Sequence, residues 1–388
     1  MFTNRHIFSW LGIVMLMLLC PMANAQTLSE DATVSLLSCT PGKPLYFHYG
    51  HSALRIQDPA YTAPHGEVFP IDWTFNYGIF SFKTNNFYLK FVKGETDYML
   101  GLEYTSDFQL SCAYEDRTIY YQPLLLDSLQ KQTVLDALLE NYQPENRYYR
   151  YNFVYDNCAT RPWRIIRKAT GYPEAEGMSG RSWRENIDYY SGRWSWGKFG
   201  INLLFGYGAD EEMTLDQSLF LPENLMNYVS EQGMTEDEYI GRFTPRDGSF
   251  LSSPELAVLV LLLLIAALTA FDFFKGRFTW GFDLALMIVY FAAGLIIFFL
   301  YFFSTHPFVN TNLNILYLNP LWIVPIALCC FGKGREWLKK GAPLMLLWLV
   351  VALMWIMLKH QTLHLALTLV FFHMCRLAFL GKKTFQKN

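Results

Sequence analysis

The spacing of apolar residues divides the chain in two. From Leu256 onward five apolar segments follow one another, at residues 256–274, 280–303, 315–331, 342–358 and 363–380. Each is near the length of a helix that crosses a bilayer. Upstream, apolar positions come in short runs. "TVSLLSC" (33–39), "LYFHYGHSALRIQ" (45–57), "IDWTFNYGIF" (71–80) and "RTIYYQPLLL" (117–126) are rich in β-branched and aromatic residues and read as strands. "SLQKQTVLDALLENY" places Leu129, Val134, Leu135, Leu138 and Leu139 at helical spacing and stops before Pro144. "RYYRYNFVY" returns to strand chemistry, and "ATRPWRIIRKATGY" to a helix stopped by Gly171. The expected fold class is α+β: a largely antiparallel sheet domain over residues 26–253, then an α-helical membrane bundle of about five spans over 254–388. Asn319, Pro320 and Pro325 break the third span, which is expected to be kinked or re-entrant. "KFGINLLFGYGADEEMT" and "QSLFLPENLMNYV", just ahead of the first span, are expected to rest on the bilayer or to pack on the sheet.

The first 25 residues add a targeting signal. Arg5 and His6 precede the apolar run Ile7 to Leu19, and "PMANA" ends just before Gln26, the layout of a secretory signal peptide. A lipoprotein signal at Cys20 is disfavoured because Leu19 stands where a small residue is normally needed. An apolar run of about 13 residues is also short for a retained anchor. Export of the domain fixes the sides of the later loops. Lys275 and Arg277, then Lys333, Arg335, Lys339 and Lys340, then Lys382, Lys383 and Lys387 fall on the cytoplasmic side. The outward loops, "STHPFVNTNLN" and the turn after Leu358, hold only Lys359. This asymmetry follows the positive-inside rule, and removing the third span would break it. A net charge of −3 gives no footprint for nucleic acid, and the polar half has no close cysteine pair of the zinc type.

Of seven cysteines, Cys20 precedes the cleavage site and Cys329, Cys330 and Cys375 lie in the membrane half. Cys39, Cys112 and Cys158 remain in an oxidising compartment, and their odd number leaves a free thiol or an intermolecular bridge. Cys39 and Cys112 are able to pair, although spacing does not establish it. Cys158 sits where a strand gives way to a helix, whose N–H groups would stabilise a thiolate or form an oxyanion hole. Pro162 lacks an N–H and is expected to distort that first turn. The plainer reading of a free cysteine is a small buried hydrophobe. A thiol nucleophile needs a base, and strand alternation would point His48 and His51 to opposite faces. His51, followed by small Ser52 and Ala53, is preferred; a structural, hydrogen-bonded histidine is the alternative. Asp72 and Asn76 are available to orient it, with Asn76 favoured.

The combination "LLSCTPG…YGHSALRI…FNYGIFSF…NFYLKFVKGETDYML…PENRYYRYNFVYDNCATR", followed by "STHPFVNTNLNILYLNP", resembles the Lnb-type lipoprotein N-acyltransferases of Bacteroidota over nearly the whole mature chain. That resemblance implies an extracytoplasmic NlpC/P60-like, papain-like thiol domain in permuted order, histidine before cysteine. It implies transfer of an acyl chain from a phospholipid donor to the α-amine of diacylglyceryl-cysteine lipoproteins, by a multi-pass protein of the inner (cytoplasmic) membrane, with no cofactor or metal. The matching catalytic positions are Cys158 and His51. Cys39 also falls on a recurrent position, which leaves it structural or catalytic, and His306 in "STHP" matches a position that shapes the site. Asn157, beside the cysteine in "DNCATR", is a supporting candidate.

Arg161, Arg164 and Lys168 share a helical face with Arg167 nearby, and either hold a lipid phosphate or form a solvated face. Arg55 pairs with a buried carboxylate or positions a headgroup. His360 and His364 have the spacing of a metal pair, with His373 beyond them, but no acidic residue accompanies them in the last two spans, so interhelical hydrogen bonds are the better reading. Arg376 is expected to snorkel to the cytoplasmic face. Two other functions use the same features: a membrane-anchored thiol amidase or peptidase acting on the cell wall with water as acceptor, and a scaffold that binds envelope proteins.

Overall fold

The computed structural model describes residues 26–44, 47–236, 242–245 and 247–382. The expected signal peptide and the tail lysines Lys383 and Lys387 lie outside the described residues. Six strands, β1 (Thr33–Cys39), β2 (His51–Thr62), β3 (Val68–Ile79), β4 (Asp97–Tyr104), β5 (Ile119–Pro123) and β6 (Tyr148–Arg150), form one antiparallel sheet in the order β5-β1-β2-β3-β4-β6. The helices α1 (Phe87–Lys93) and α2 (Thr105–Tyr114) flank β4. None of these three elements follows from the apolar runs, since "DYMLGLEY" alternates only weakly.

Strand alternation sorts the side chains into two cores. Val34, Leu36, Leu54, Ile56, Phe75 and Tyr77 bury against α3 (Ser128–Tyr142) and α4 (Thr160–Thr170). Leu37, Cys39 and Ala53 point the other way, against Phe108 and Cys112 of α2. The start of α3 is set by a capping box in which Asp127 and Gln130 satisfy each other's backbone N–H groups. The chain then passes through β7 (Met178–Ser182), α5 (Trp183–Tyr190), α6 (Trp196–Leu204), β8 (Glu212–Thr214), α7 (Leu215–Ser218) and α8 (Pro222–Glu231). The two apolar stretches ahead of the membrane divide the alternatives between them. Helix α6 lies on the outward end of the bundle, where the Asn312 and Asn314 amides both donate to the Leu203 carbonyl at 2.9 Å. Helix α8 packs Leu225, Tyr228 and Val229 into the sheet core.

The membrane half comprises α9 (Pro254–Lys275), α10 (Trp280–Phe303), α11 (Ile323–Cys330), α12 (Gly332–Leu358) and α13 (Leu365–Gly381). Four stretches, Pro254–Lys275, Trp280–Phe303, Leu313–Cys330 and Gly332–Leu358, are long and apolar enough to cross a membrane, and α13 is a shorter apolar helix. Where about five spans are expected, the structure thus gives four stretches of spanning length and one shorter apolar helix. The third stretch is built from 3-10 turns and the short α11, because the Asn319 side chain bonds the Ile315 carbonyl and the Leu321 N–H ahead of Pro320. The fourth begins at Gly332 because "KGREWLKK" continues the helix, with buried Lys339 paired to Glu336 at 2.8 Å.

Arg376 does not snorkel. It is fully buried and bridges two carboxylates from other helices, Asp272 at 2.6 Å and Asp283 at 2.9 Å, while His373 meets Asp283 at 3.0 Å. The acids come from the first two spans, so they are invisible to a reading of the last two. The contacts among Asp272, Asp283, His373 and Arg376 make α9, α10 and α13 one electrostatic unit. Removing one partner leaves a buried charge uncompensated. Replacing Arg376 by Leu should therefore destabilise the bundle by about 3–5 kcal/mol, measured by denaturant titration in detergent, whereas Arg335→Leu at the half-buried end should cost far less.

Candidate active site

The site forms at one end of the sheet, where β1 finishes and β2 begins. Gly50 makes the junction possible: its φ of +77° and a Cβ that would stand 2.7 Å from the Cys39 carbonyl exclude other residues. The strand starts at His51, so His48 is not on it. His48 lies in a turn, with its ring against the Lys43 carbonyl at 3.2 Å. The His51 Nε2 meets Asn76 Oδ1 at 2.7 Å, and Asn76 Nδ2 donates to Glu103 Oε1 at 3.1 Å. The Glu103 carboxylate accepts only, so it fixes which end of the Asn76 amide faces the ring. The amide oxygen in turn puts the His51 proton on Nε2 and leaves Nδ1 as the basic nitrogen.

Cys158 stands two residues ahead of α4. Pro162 falls in the first turn of that helix, where a missing N–H costs nothing, so the expected distortion is absent. The helix amides are already used. Asn157 Oδ1 accepts from the Ala159 and Thr160 N–H groups at 2.9 Å each, and its Nδ2 donates to the Phe153 and Phe220 carbonyls. The expected oxyanion hole in the helix amides is thereby corrected. The N–H groups that do lie against the Cys158 sulfur are its own and that of Ser52.

Cys158, His51, Asn76 and Glu103 line one cavity of about 610 Å³, together with Cys112, Arg117 and a wall of aromatic rings. Burial in its wall sets the protonation states. Burial, reinforced by the Arg117 guanidinium and opposed by the Asn76 hydrogen bond, brings the His51 imidazole down to about 4. Burial pushes the Cys158 thiol up, against the Ser52 N–H and Arg117. At neutral pH both groups in the cavity are neutral, a state suited to general-base activation rather than to a resting ion pair.

Other candidates lie elsewhere. Arg55 grips Asp72 through two 2.7 Å bonds on the sheet, so Asp72 orients that arginine and not His51. Arg161 is held by Asp156 and lies 3.5 Å over the Tyr149 ring, and Arg164 shares the same carboxylate, so neither guanidinium is free for a phosphate. Cys39 and Cys112 stand as free thiols with sulfurs 3.7 Å apart. His306 does reach the cavity wall, and its Nε2 meets the Phe91 carbonyl at 2.6 Å. His364 packs on α6 through the Phe199 carbonyl.

Two residues were missed by sequence reasoning. Glu103 was hidden in the unrecognised strand β4. Arg117 is 8% exposed, bonds Thr40 and Glu115, and has an Nη2 without a partner among the described residues. Its neighbour in sequence, Asp116, has a positive φ of 58°, a turn signal that no periodicity carries.

Two family models match the chain: the Lnb N-terminal periplasmic domain over residues 21–187 and the Lnb transmembrane domain over residues 246–388. No curated protein and no solved structure matches it.

The electrostatics give a direct test. Alkylation of Cys158 by iodoacetamide, followed by peptide mass analysis, should rise monotonically with pH into the range above that of an ordinary thiol, with no plateau at low pH. The His51 ring, followed by NMR, should titrate near 4. An acidic alkylation plateau would indicate an ion pair.

Proposed function

The chain belongs to the Lnb family, and from that membership and the site geometry we propose that it is a lipoprotein N-acyltransferase acting through a Cys158 thioester at the periplasmic face of the inner membrane. The N-terminal domain is periplasmic and the protein is a multi-pass membrane protein. We read the domain as a permuted NlpC/P60-like thiol fold, since a helix led by the cysteine packs on an antiparallel sheet that carries the histidine. We also read α13 as a short fifth span, because it carries Arg376 back to the end of the bundle where Asp272 and Asp283 lie.

The observation that carries the reading is continuity between thiol and membrane. The cavity around Cys158 is walled by Phe80, Phe82, Phe91, Tyr98 and Tyr151 and ends at His306, just beyond the outward end of the spanning helix α10. Such a lining suits an acyl chain rather than a wall peptide. His51 Nδ1 takes the Cys158 proton as sulfur attacks the ester carbonyl carbon of a phospholipid. The new C–S bond forms, the ester C–O bond breaks, and the same proton passes to the departing lysolipid oxygen. The amine of a diacylglyceryl-cysteine then attacks the thioester. The N–C bond forms, C–S breaks, and His51 relays the amine proton to the sulfur. The Cys158 N–H is the candidate donor to the tetrahedral oxyanion, with Arg117 Nη2 supplying positive charge in a dry cavity. Asn76 and Glu103 are positioning residues that hold the His51 tautomer.

The decisive experiment is intact-mass analysis of lipoproteins from cells with and without the protein. N-acylation should vanish on deletion and return with the wild-type chain but not with Cys158→Ala. A trapped acyl thioester should persist in Cys39→Ala; loss there and survival in Cys158→Ala would move the nucleophile. Glu103→Gln should slow acylation about 10- to 100-fold while leaving thermal stability and Cys158 labelling at high pH nearly unchanged. Release of free fatty acid or cleavage of wall peptides without lipoprotein acylation would favour the hydrolase.

A further inference from the structure

Helix α1 joins β3 to β4 beside the cavity mouth, and its two sides have opposite surroundings. Phe87 is buried, 5% exposed, among Phe80, Phe82 and Phe91, which carry the cavity wall. The outer side turns apolar groups to solvent: Tyr88 is 74% exposed, Leu89 53%, Val92 39% and neighbouring Phe82 55%. A run of large exposed apolar residues on a short helix is unusual for a surface bathed in water.

The helix is bonded to the membrane half. Ser304 Oγ donates to the Val92 carbonyl at 2.9 Å, the Thr305 N–H donates to the Lys93 carbonyl at 2.8 Å, and His306 Nε2 meets the Phe91 carbonyl. Gly94, with φ +73°, ends the helix so closely that a Cβ would stand 2.7 Å from Thr305 Oγ1. Ser304 is the cap of α10, a helix long and apolar enough to cross a bilayer. The exposed face of α1 is therefore held at the level where that span leaves the hydrocarbon. Lys83 and Lys90 beside it supply positive charge of the kind that interfacial helices turn toward lipid phosphates.

We propose that Tyr88, Leu89, Val92 and Phe82 are seated in the lipid leaflet that faces the periplasmic domain, and that the inner side of α1 is the portal through which a phospholipid acyl chain passes from that leaflet to Cys158. The portal rests on the thioester reading above, whereas the seating of α1 does not. A diacyl lipid need not leave the bilayer whole: one chain bends past Phe82 and Phe91 while its headgroup stays at the interface.

The test uses the full-length protein in vesicles of phosphatidylethanolamine and phosphatidylglycerol. A benzophenone amino acid replaces Tyr88 or Leu89, and in a control Val68, an exposed apolar residue at the far end of β3, about 35 Å away along the strand. After irradiation, intact mass should show a phospholipid adduct at positions 88 and 89, at about ten times the yield found at 68 for an interfacial contact. Equal yields, no lipid adduct, or a protein adduct at 88 or 89 overturns the seating. For the portal, Leu89→Glu with Val92→Glu should cut acyl-thioester formation from vesicle phospholipid about tenfold, as loss of interfacial contact predicts. The same variant should keep the wild-type rate with a soluble short-chain activated ester. Equal loss with both donors, or loss with neither, overturns the portal. A wild-type protein that labels lipid at 89 yet forms no thioester with phospholipid would refute the reaction while leaving the seating intact.

Discussion

Most of what this protein can do follows from one seam of hydrogen bonds. The turn from Ser304 to Asn314, which connects two membrane elements, is bonded on one side to the end of α1 and on the other to Leu203 of α6 and to Gly206 just after it. Phe308 extends the seam by packing on Trp183 and Phe205. These bonds end on backbone groups of α1 and of the chain around α6, so those elements are set at a defined height and orientation above the bundle. A tether alone would raise local concentration; a rigid seam also restricts orientation, and both contribute to the effect of proximity on rate.

The second constraint is the scarcity of water around Cys158. In an open cleft a cysteine beside a histidine at a helix start settles toward thiolate and imidazolium. Here burial acts on both groups in the direction of neutrality, and Asn157 has already taken the helix amides that would have favoured the thiolate. On the thioester reading proposed above, the thiolate forms only as a substrate carbonyl receives it. This protects a periplasmic thiol from oxidants, whose attack requires thiolate character. Arg117 is the counterweight: a buried cation whose Nη2 has no partner among the described residues and which lines the same cavity.

The membrane half uses charge differently. Asp272, Asp283, His373 and Arg376 are fully buried together near one end of the bundle, opposite the end that carries the seam. With these ends clamped in this way, α10 carries α1 and the cavity mouth at its other end.

Much of this was legible from residues alone, for identifiable reasons. Strands β1, β3 and β5 and helices α3 and α4 have apolar periods matching their burial, and the apolar segments after Leu256 are set by hydrocarbon thickness. Cys158, His51 and Asn76 were found because their chemistry is rare and their neighbours distinctive, and the structure brings all three to one cavity. Other features depended on contacts between residues far apart in sequence. Glu103 matters only because β4 pairs with β3, Arg117 only because a turn swings it beneath His51, and the Arg376 cluster only because three helices meet. Asp72 and Arg161 stay open as candidates in the sequence, and the fold gives each a partner elsewhere. Local pattern determines which face of an element is apolar, and export and span length determine its solvent; which polar groups end up together, and with what protonation, is decided by packing, since both depend on how much water the tertiary structure excludes.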